Sequence, residues 1–477
     1  MKTIFGFCCF ILLSFGQLHA QSLDGSWGGF LHVQGMKMRL VFHFLDTNVG
    51  YSAKMDSPDQ GAFGIPVDDV YYLSSQLTLR IDAANILFKG TAIFRGSTEG
   101  YGDIDSIVGT FKQYGIELPL TLRKLPDDFE LENTRPQEPD LSEPERLPYT
   151  QEEVTINNIA ANVQLSGTLT IPKYGSNFPA VILISGSGPQ DRNEELMGHK
   201  PFMVIADYFS RRGIAVLRYD DRGFGASTGE YNTATTADFA TDASAAVDFL
   251  KTKNSINPKK IGLAGHSEGG VIAPMVALNN KDVAFIILMA GTGVKGDSIL
   301  KMQIRSLSKE QGTSDNEMKV IESINNKLFE LLPTTQDSTI LIEALKKHLK
   351  EFSKAHPNIK INKEKSEPYI SLIVEQMSNP WMRYFVTYDP VPALTKVTCP
   401  VLAINGDKDI QVPSGINLNA IGNALQKGGN KNYTLKEFPN MNHLFQTCKT
   451  GSISEYFQIK ETFSPEVMKF MLEWIMR

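Results

Sequence analysis

The chain is predicted to be α/β, a doubly wound parallel sheet with a helical insertion, preceded by a small all-β domain. Three observations carry that prediction. After about residue 150, apolar strand-like runs alternate with helical runs. One of these runs ends in a Gly-x-Ser-x-Gly turn that leads straight into a helix-compatible segment. Residues 21–125, by contrast, hold short alternating runs and recurrent glycines with almost no helical periodicity.

Taken in order, residues 1–20 read as a secretory signal. Lys2 supplies the positive start, Ile4 to Phe15 is apolar but too short to span a bilayer, and Leu18-His19-Ala20 ends in a small residue. Gln21 is then the expected mature N-terminus, and the expected location is secreted or periplasmic. Cys8 and Cys9 lack a lipoprotein lead-in, so no lipid anchor is expected, and no stable membrane insertion once the signal is removed. Residues 21–125 form the all-β domain, with alternating runs at Met38 to Phe44, Gln76 to Ile81, Ile86 to Phe94, Ile107 to Phe111 and Leu118 to Leu122. No catalytic grouping stands out there, and an accessory role is expected. Residues 126–149, with Pro126, Pro136, Pro139, Pro144 and Pro148 among acidic side chains, read as an extended, fairly stiff linker.

The α/β domain is expected over 150–477. Glu153 to Ile159 and Val163 to Ile171 suit an antiparallel edge. Val181 to Ile184, Ile214 to Tyr219, Ile261 to Ala264 and Phe285 to Ala290 are strand-like, and helices are expected at Phe202 to Arg212 and Asp238 to Thr252. Between Val294 and Asp389 the alternation breaks for a largely helical, Lys- and Glu-rich stretch, expected to form a cap over about 294–389. Its segment Ile340 to Phe352 carries apolar residues at helical spacing (Ile340, Leu341, Ala344, Leu345, Leu349, Phe352).

The chemistry concentrates on Gly265-His266-Ser267-Glu268-Gly269. A sharp strand-to-helix turn exposes the serine hydroxyl, and glycines at 265 and 269 avoid collision with neighbouring backbone. The helix that follows aims N–H groups at the serine. Such a serine needs a base, and the base an orienting acid, in the chain order serine, acid, histidine. His443 is the one histidine beyond the late strand Pro400 to Asn405 and its loop Gly406 to Pro413. Within that loop Asp409 is favoured as the acid, with Asp407 capping the turn through its own backbone. His266 is read as a packing residue beneath the turn. The oxyanion donors expected are the backbone N–H groups of Glu268 and Ser187, with Gly188 next, on the loop Ser185 to Asn193 after a continuous apolar strand. Asp191 and Arg192 are expected to brace that loop as an ion pair.

These motifs resemble the α/β-hydrolase superfamily, and within it secreted bacterial serine esterases whose oxyanion loop reads Gly-x-Gly-Pro-x-Asp-Arg. The resemblance covers about 150–477 without the insertion. It implies Ser267 as nucleophile, Asp409 as acid and His443 as base, and it implies that Arg218 to Ser227 is scaffold. The loop departs from the common lipase pattern, since Ser185-Gly186 stands where His-Gly opens it. The expected activity is hydrolysis of short-chain or small aryl esters through an acyl-enzyme, with a small-molecule ester as partner and no cofactor. In the cap, Trp381, Tyr384 and Phe385 line the pocket or pack the core, and Arg383 is a candidate for meeting an anionic substrate. A serine peptidase or acyl-transfer enzyme of the same fold stays open, although 105 residues (21–125) cannot build a β-propeller. So does a non-catalytic binding protein of the cell envelope.

Charge and cysteine use narrow the partners. The net charge of −6 becomes −7 without Lys2, the one charged residue of the signal, which argues against nucleic acid. Beyond the signal only Cys399 and Cys448 remain, at opposite ends of the expected sheet, so no bridge is expected. No Cys/His spacing suits a metal.

Overall fold

The computed structural model describes residues 22–33, 36–47, 50–58, 62–95, 103–113, 116–126, 137–310, 312–361, 363–456 and 458–477. The anticipated signal, 1–20, lies outside the described residues, as does 127–136 of the anticipated linker. The chain divides into two compact units, Met1–Leu131 and Glu132–Arg477.

The first unit is an all-antiparallel β half-barrel. Its strands are β1 (Gly25–Val33), β2 (Met36–Thr47), β3 (Gly50–Ser57), β4 (Ala62–Pro66), β5 (Asp69–Leu73), β6 (Gln76–Ile81), β7 (Ile86–Phe94), β8 (Ile104–Gln113) and β9 (Ile116–Lys124), in the order β4-β3-β2-β1-β9-β8-β7-β6-β5. Alternation explains the core: Leu40, Phe42 and Phe44 of β2 point inward with Trp27, Leu31, Leu79, Phe88 and Leu122. Trp27 satisfies its buried indole N–H on the Leu23 carbonyl at 2.7 Å. The opposite face carries a polar relay. Ser26 sits across from His43 in the β1–β2 register, its Oγ 2.8 Å from His43 Nδ1. His43 Nε2 lies 2.8 Å from Asp56 Oδ2, and Gly64 N–H donates to Asp56 Oδ1 at 2.6 Å. The His43 side chain is 38% exposed.

The second unit is built on a mixed eight-stranded sheet. Its elements begin β10 (Tyr149–Asn158), β11 (Val163–Pro172), β12 (Phe178–Ile184), α1 (Pro201–Ser210), β13 (Ala215–Tyr219), α2 (Thr236–Lys251), β14 (Ile256–His266), α3 (Gly269–Asn279) and β15 (Val283–Met289). Six helices follow: α4 (Gly296–Glu310), α5 (Asp315–Leu331), α6 (Ser338–Ala355), α7 (Lys363–Met377), α8 (Pro380–Thr387) and the short α9 (Val391–Leu394). β16 (Val401–Gly406), α10 (Ser414–Lys427), β17 (Tyr433–Phe438) and α11 (Pro465–Ile475) complete it. The strand order is β10-β11-β13-β12-β14-β15-β16-β17; β10, β11 and β13 pair antiparallel, and every other neighbour is parallel. Central strands are apolar at consecutive positions because both faces are covered. Ile182, Leu263 and Ile286 pack with α2, α3 and α10. Leu183, Ala264 and Ile287 pack with α1 and α11.

Helices α4 to α8 share a core of their own, including Ile299, Leu328, Leu345, Ile373 and Phe385. Val412, from the loop after β16, belongs to it. Leu341, Leu345 and Leu349 of α6 are buried as their spacing implies, but Ile340 is exposed. The stretch 137–148 is docked on this unit rather than free. Gln137 N–H donates to the Lys460 carbonyl at 2.7 Å, its side chain accepts from Thr462 N–H at 3.1 Å, and Glu138 pairs with Lys200 at 2.9 Å. Its polar groups found partners, which composition alone does not reveal.

Candidate active site

Strand β14 ends at His266, and α3 starts at Gly269, so Ser267 occupies the turn between them with φ of +51°. That left-handed conformation is costly for a residue with a Cβ and is held by its surroundings. A Cβ at Gly265 would stand 1.9 Å from the Gly269 carbonyl oxygen, and one at Gly269 would stand 2.2 Å from that of Ile184. Both glycines are therefore required by close backbone approach. Ser267 N–H is anchored on the Met289 carbonyl at 2.8 Å.

Two loops at the same sheet edge bring an acid to an imidazole. Asp409 Oδ2 lies 2.7 Å from His443 Nδ1, with 0% and 6% of the two side chains exposed. Asp409 Oδ1 accepts the N–H groups of Gln411 and Val412, each at 2.8 Å, so this carboxylate is fixed at both oxygens. Asp407, expected to cap the turn through its own backbone, instead accepts Asn440 N–H at 2.6 Å and ties the loop after β16 to the one after β17. Asp409 does the local capping, because its side chain points back over its own turn.

The loop after β12 is braced from beneath. Ser185 Oγ donates to Asp221 at 2.9 Å, Gln190 N–H to the same carboxylate at 3.0 Å, and Gly186 N–H to Glu194 Oε1 at 2.6 Å. Burial pushes the Asp221 carboxyl up to about 8, against the hydrogen bonds that favour its charge. Gly188 has φ of +100°, and its amide faces the Tyr231 hydroxyl. Ser187 and Glu268 line one cavity with Ser267, Thr292, Ile299, Leu300, Gln303, Trp381, Phe385 and Val412. The expected Asp191–Arg192 pair does not form, since neighbouring side chains on this loop diverge. Arg192 binds Asp220 at 2.8 and 3.0 Å and Glu153 at 2.5 Å. Asp191 accepts Glu195 N–H at 2.8 Å and Asn193 Nδ2 at 3.0 Å. Arg222 and Asp242 make a second buried bidentate pair at 2.7 and 2.9 Å.

Three side chains take roles that sequence reasoning missed or misjudged. His266 is more than packing: Nδ1 meets Glu194 Oε1 at 2.9 Å and Nε2 meets the His443 carbonyl at 2.9 Å. Glu268, considered only for its backbone, buries a carboxyl that accepts Thr236 Oγ1 at 2.7 Å and the Trp381 indole N–H at 2.6 Å. Burial pushes this carboxyl up to about 7, while both hydrogen bonds pull the other way. Arg383, expected to meet an anionic substrate, turns into the cap. Its guanidinium donates to the carbonyls of Ser378 at 2.9 Å, of Thr335 at 2.5 Å, and of Leu332. Trp381 and Phe385, four residues apart on α8, stack at 5.0 Å and line the cavity, and helical periodicity puts Arg383 on the other face. Among the described residues no helix is long and apolar enough to cross a membrane, and no group of His, Cys, Asp or Glu is arranged to hold a metal ion. Cys399 and Cys448 are free thiols.

Residues 200–447 match the family model described as serine aminopeptidase, S33. The chain is 24% identical to esterase EstD of Thermotoga maritima over 342 residues, which is 71% of this chain and 70% of that one. Among solved structures it is similar to the Pyrococcus furiosus esterase Pf2001, with TM-score 0.41, 18% identity and coverage of 70% of this chain and 93% of that one. It is also similar to Est1E from Butyrivibrio proteoclasticus bound to ferulic acid, with TM-score 0.38, 19% identity and coverage of 68% and 100%.

Proposed function

We propose, for a chain that belongs to the serine aminopeptidase S33 family of α/β hydrolases, that it cleaves small carboxylic esters through Ser267. The observation that carries the reading is the buried Asp409–His443 contact at the sheet edge where Ser267 is presented on a strained turn. The distant likeness to an esterase supports the same chemistry.

In the proposed reaction, Ser267 Oγ attacks the ester carbonyl while His443 Nε2 takes its proton. Asp409 holds Nδ1, which fixes the tautomer and stabilises the imidazolium. Backbone N–H groups of Glu268 and Ser187 receive the oxyanion, an interaction worth roughly 100- to 1,000-fold in rate per donor. His443 returns the proton to the leaving alcohol, and an acyl-enzyme remains. Water then adds by the same route and releases the acid and the free serine. Gly186 N–H is spent on Glu194, which supports Ser187 as the second donor.

The substrate class proposed is short-chain or small aryl esters. The aromatic pair Trp381–Phe385 with Ile299, Leu300 and Val412 makes an apolar wall that suits a small acyl or aryl group. A peptidase reading is kept because the matched family is described by an aminopeptidase. The test is turnover of p-nitrophenyl esters from acetate to palmitate by residues 21–477, with Ser267→Ala as control and aminoacyl-p-nitroanilides alongside. Serine-dependent ester turnover that falls with chain length is expected. Cleavage of the anilides with inert esters would reassign the enzyme as a peptidase. A secreted or periplasmic location is proposed from residues 1–20, and an exported protein starting at Gln21 is the expected result of N-terminal sequencing.

A further inference from the structure

We infer that His266 is a positioning residue held as an imidazolium, which clips the loop bearing His443 and the loop bearing Ser187 to the end of β14 beside Ser267. What the clip serves rests on the proposed serine mechanism; its charge state does not.

The proton count follows from the partners. His266 Nε2 lies 2.9 Å from the carbonyl oxygen of His443. A carbonyl only accepts, so Nε2 carries a hydrogen. Nδ1 lies 2.9 Å from Glu194 Oε1, and Gly186 N–H already donates to that oxygen at 2.6 Å. One proton is shared between Nδ1 and Oε1, and because Oε1 already accepts Gly186 N–H it is assigned to Nδ1, which leaves the ring charged. Both side chains are buried, with 8% and 6% exposed. A buried charge persists when it is paired and hydrogen-bonded in this way.

The arrangement joins distant parts of the chain. Glu194 is 72 residues before His266, and His443 is 177 residues after it. Through Glu194 the ring holds the main chain just before Ser187. Through Nε2 it holds the main chain of the residue proposed as base. The charged and titratable groups facing it come from three loops: Glu194 after β12, Asp409 after β16, and His443 after β17, whose ring centroid is 4.7 Å away. Asp221, after β13, acts on Glu194 from beyond, and the Phe445 ring closes the remaining side at 6.5 Å. Burial works against the charged ring, but the charge and hydrogen bond of Glu194, the His443 carbonyl and Asp409 outweigh it and hold His266 above its ordinary 6.5.

The sign of the pH dependence follows. A histidine raised in the folded state contributes its full stabilisation below 6.5 and loses it as pH rises through the raised value. Above that value Nδ1 turns a lone pair toward the Glu194 carboxylate, the contact becomes repulsive, and the clip opens.

Two measurements test this on the whole protein. The first is nitrogen-15 NMR of histidine-labelled protein at pH 7, in which His266 is assigned by its loss in His266→Gln. Two protonated ring nitrogens are expected; a neutral ring overturns the inference. The second is the rate of Ser267 labelling by a fluorophosphonate against pH, which needs no natural substrate. The unaltered protein should show an alkaline decline. His266→Gln should label about 10- to 100-fold more slowly, as expected for a misplaced reacting group, with that decline gone. Glu194→Gln keeps neutral partners for Gly186 and His266, so its rate should fall less and its alkaline side should also be flat. If His266→Gln does not fold, Glu194→Gln carries the test through the same rates and through a ring with one protonated nitrogen. An unchanged alkaline decline in a folded variant overturns the inference. A wild-type protein that resists the phosphonate would refute the serine mechanism and not the imidazolium, which the ring nitrogens report independently.

Discussion

Two groupings of serine, histidine and aspartate among the described residues differ in everything but composition. In the half-barrel, Ser26, His43 and Asp56 form a continuous relay with both contacts at 2.8 Å. Ser26 lies on a regular strand, opposite His43 in plain antiparallel register, and the imidazole is 38% exposed. In the α/β unit, Ser267 stands on a strained turn in the wall of a cavity, and His443 and Asp409 are almost wholly buried. On the proposed mechanism, a hydrogen-bonded trio is thus not what marks the nucleophile. A strained backbone at the serine and a cavity beside its side chain are the features that differ.

The largest expected effect would break this contrast most directly. Ser267→Ala should lower kcat for ester hydrolysis on the order of 10⁵- to 10⁶-fold and abolish phosphonate labelling. Full activity in Ser267→Ala, with loss in Ser26→Ala, would invert the comparison. Next comes the acid. Asp409→Asn should cost on the order of 10⁴-fold in kcat, because the amide supports the wrong imidazole tautomer. Asp407→Asn keeps an oxygen for Asn440 N–H and loses only the charge, so it should cost less than about tenfold. Steady-state rates of the two proteins side by side decide between them.

The third prediction concerns the buried carboxyl beside the nucleophile. Glu268 titrates at about 7 against an ordinary 4.5, raised by burial. Between those values the folded state binds the proton that the unfolded state has released. Stability should therefore fall as pH rises from 4.5 to 7, by on the order of 3 kcal/mol. Glu268→Gln keeps an oxygen for Thr236 and Trp381 and should flatten that decline in urea titrations at several pH values. A variant as steep as the unaltered protein would assign the slope to another group. The smallest effect sharpens the contrast from the other side: Ser26→Ala should leave ester turnover within about twofold and cost about 1 kcal/mol of stability.

What was legible in the sequence was local. Gly265 and Gly269 announce a turn whose backbones touch, and the reading needs no knowledge of the rest of the chain. His443 and Asp409 follow from chain order and from loops that end apolar runs. The groupings that escaped depend on registers and crossings that only the folded chain sets. Ser26, His43 and Asp56 meet across β1, β2 and β3, with a two-residue offset between His43 and Asp56. Glu194 lies on the loop after β12 and His266 ends the neighbouring parallel strand β14, with no shared motif. Arg383 was misjudged because one residue's position around α8 decides whether it faces the cavity or the cap's carbonyls, and that phase depends on where the helix begins. Arg192 found Asp220 rather than its sequence neighbour for a similar reason.

Val412 serves two structures at once: its N–H holds Asp409 at 2.8 Å, and its side chain sits in the cap's apolar core. The cap is consequently not a module that can be exchanged at will. A chimera carrying a foreign helical insertion would have to supply a partner of matching shape for this one valine, or the acid would lose its aim although no residue near it had been altered.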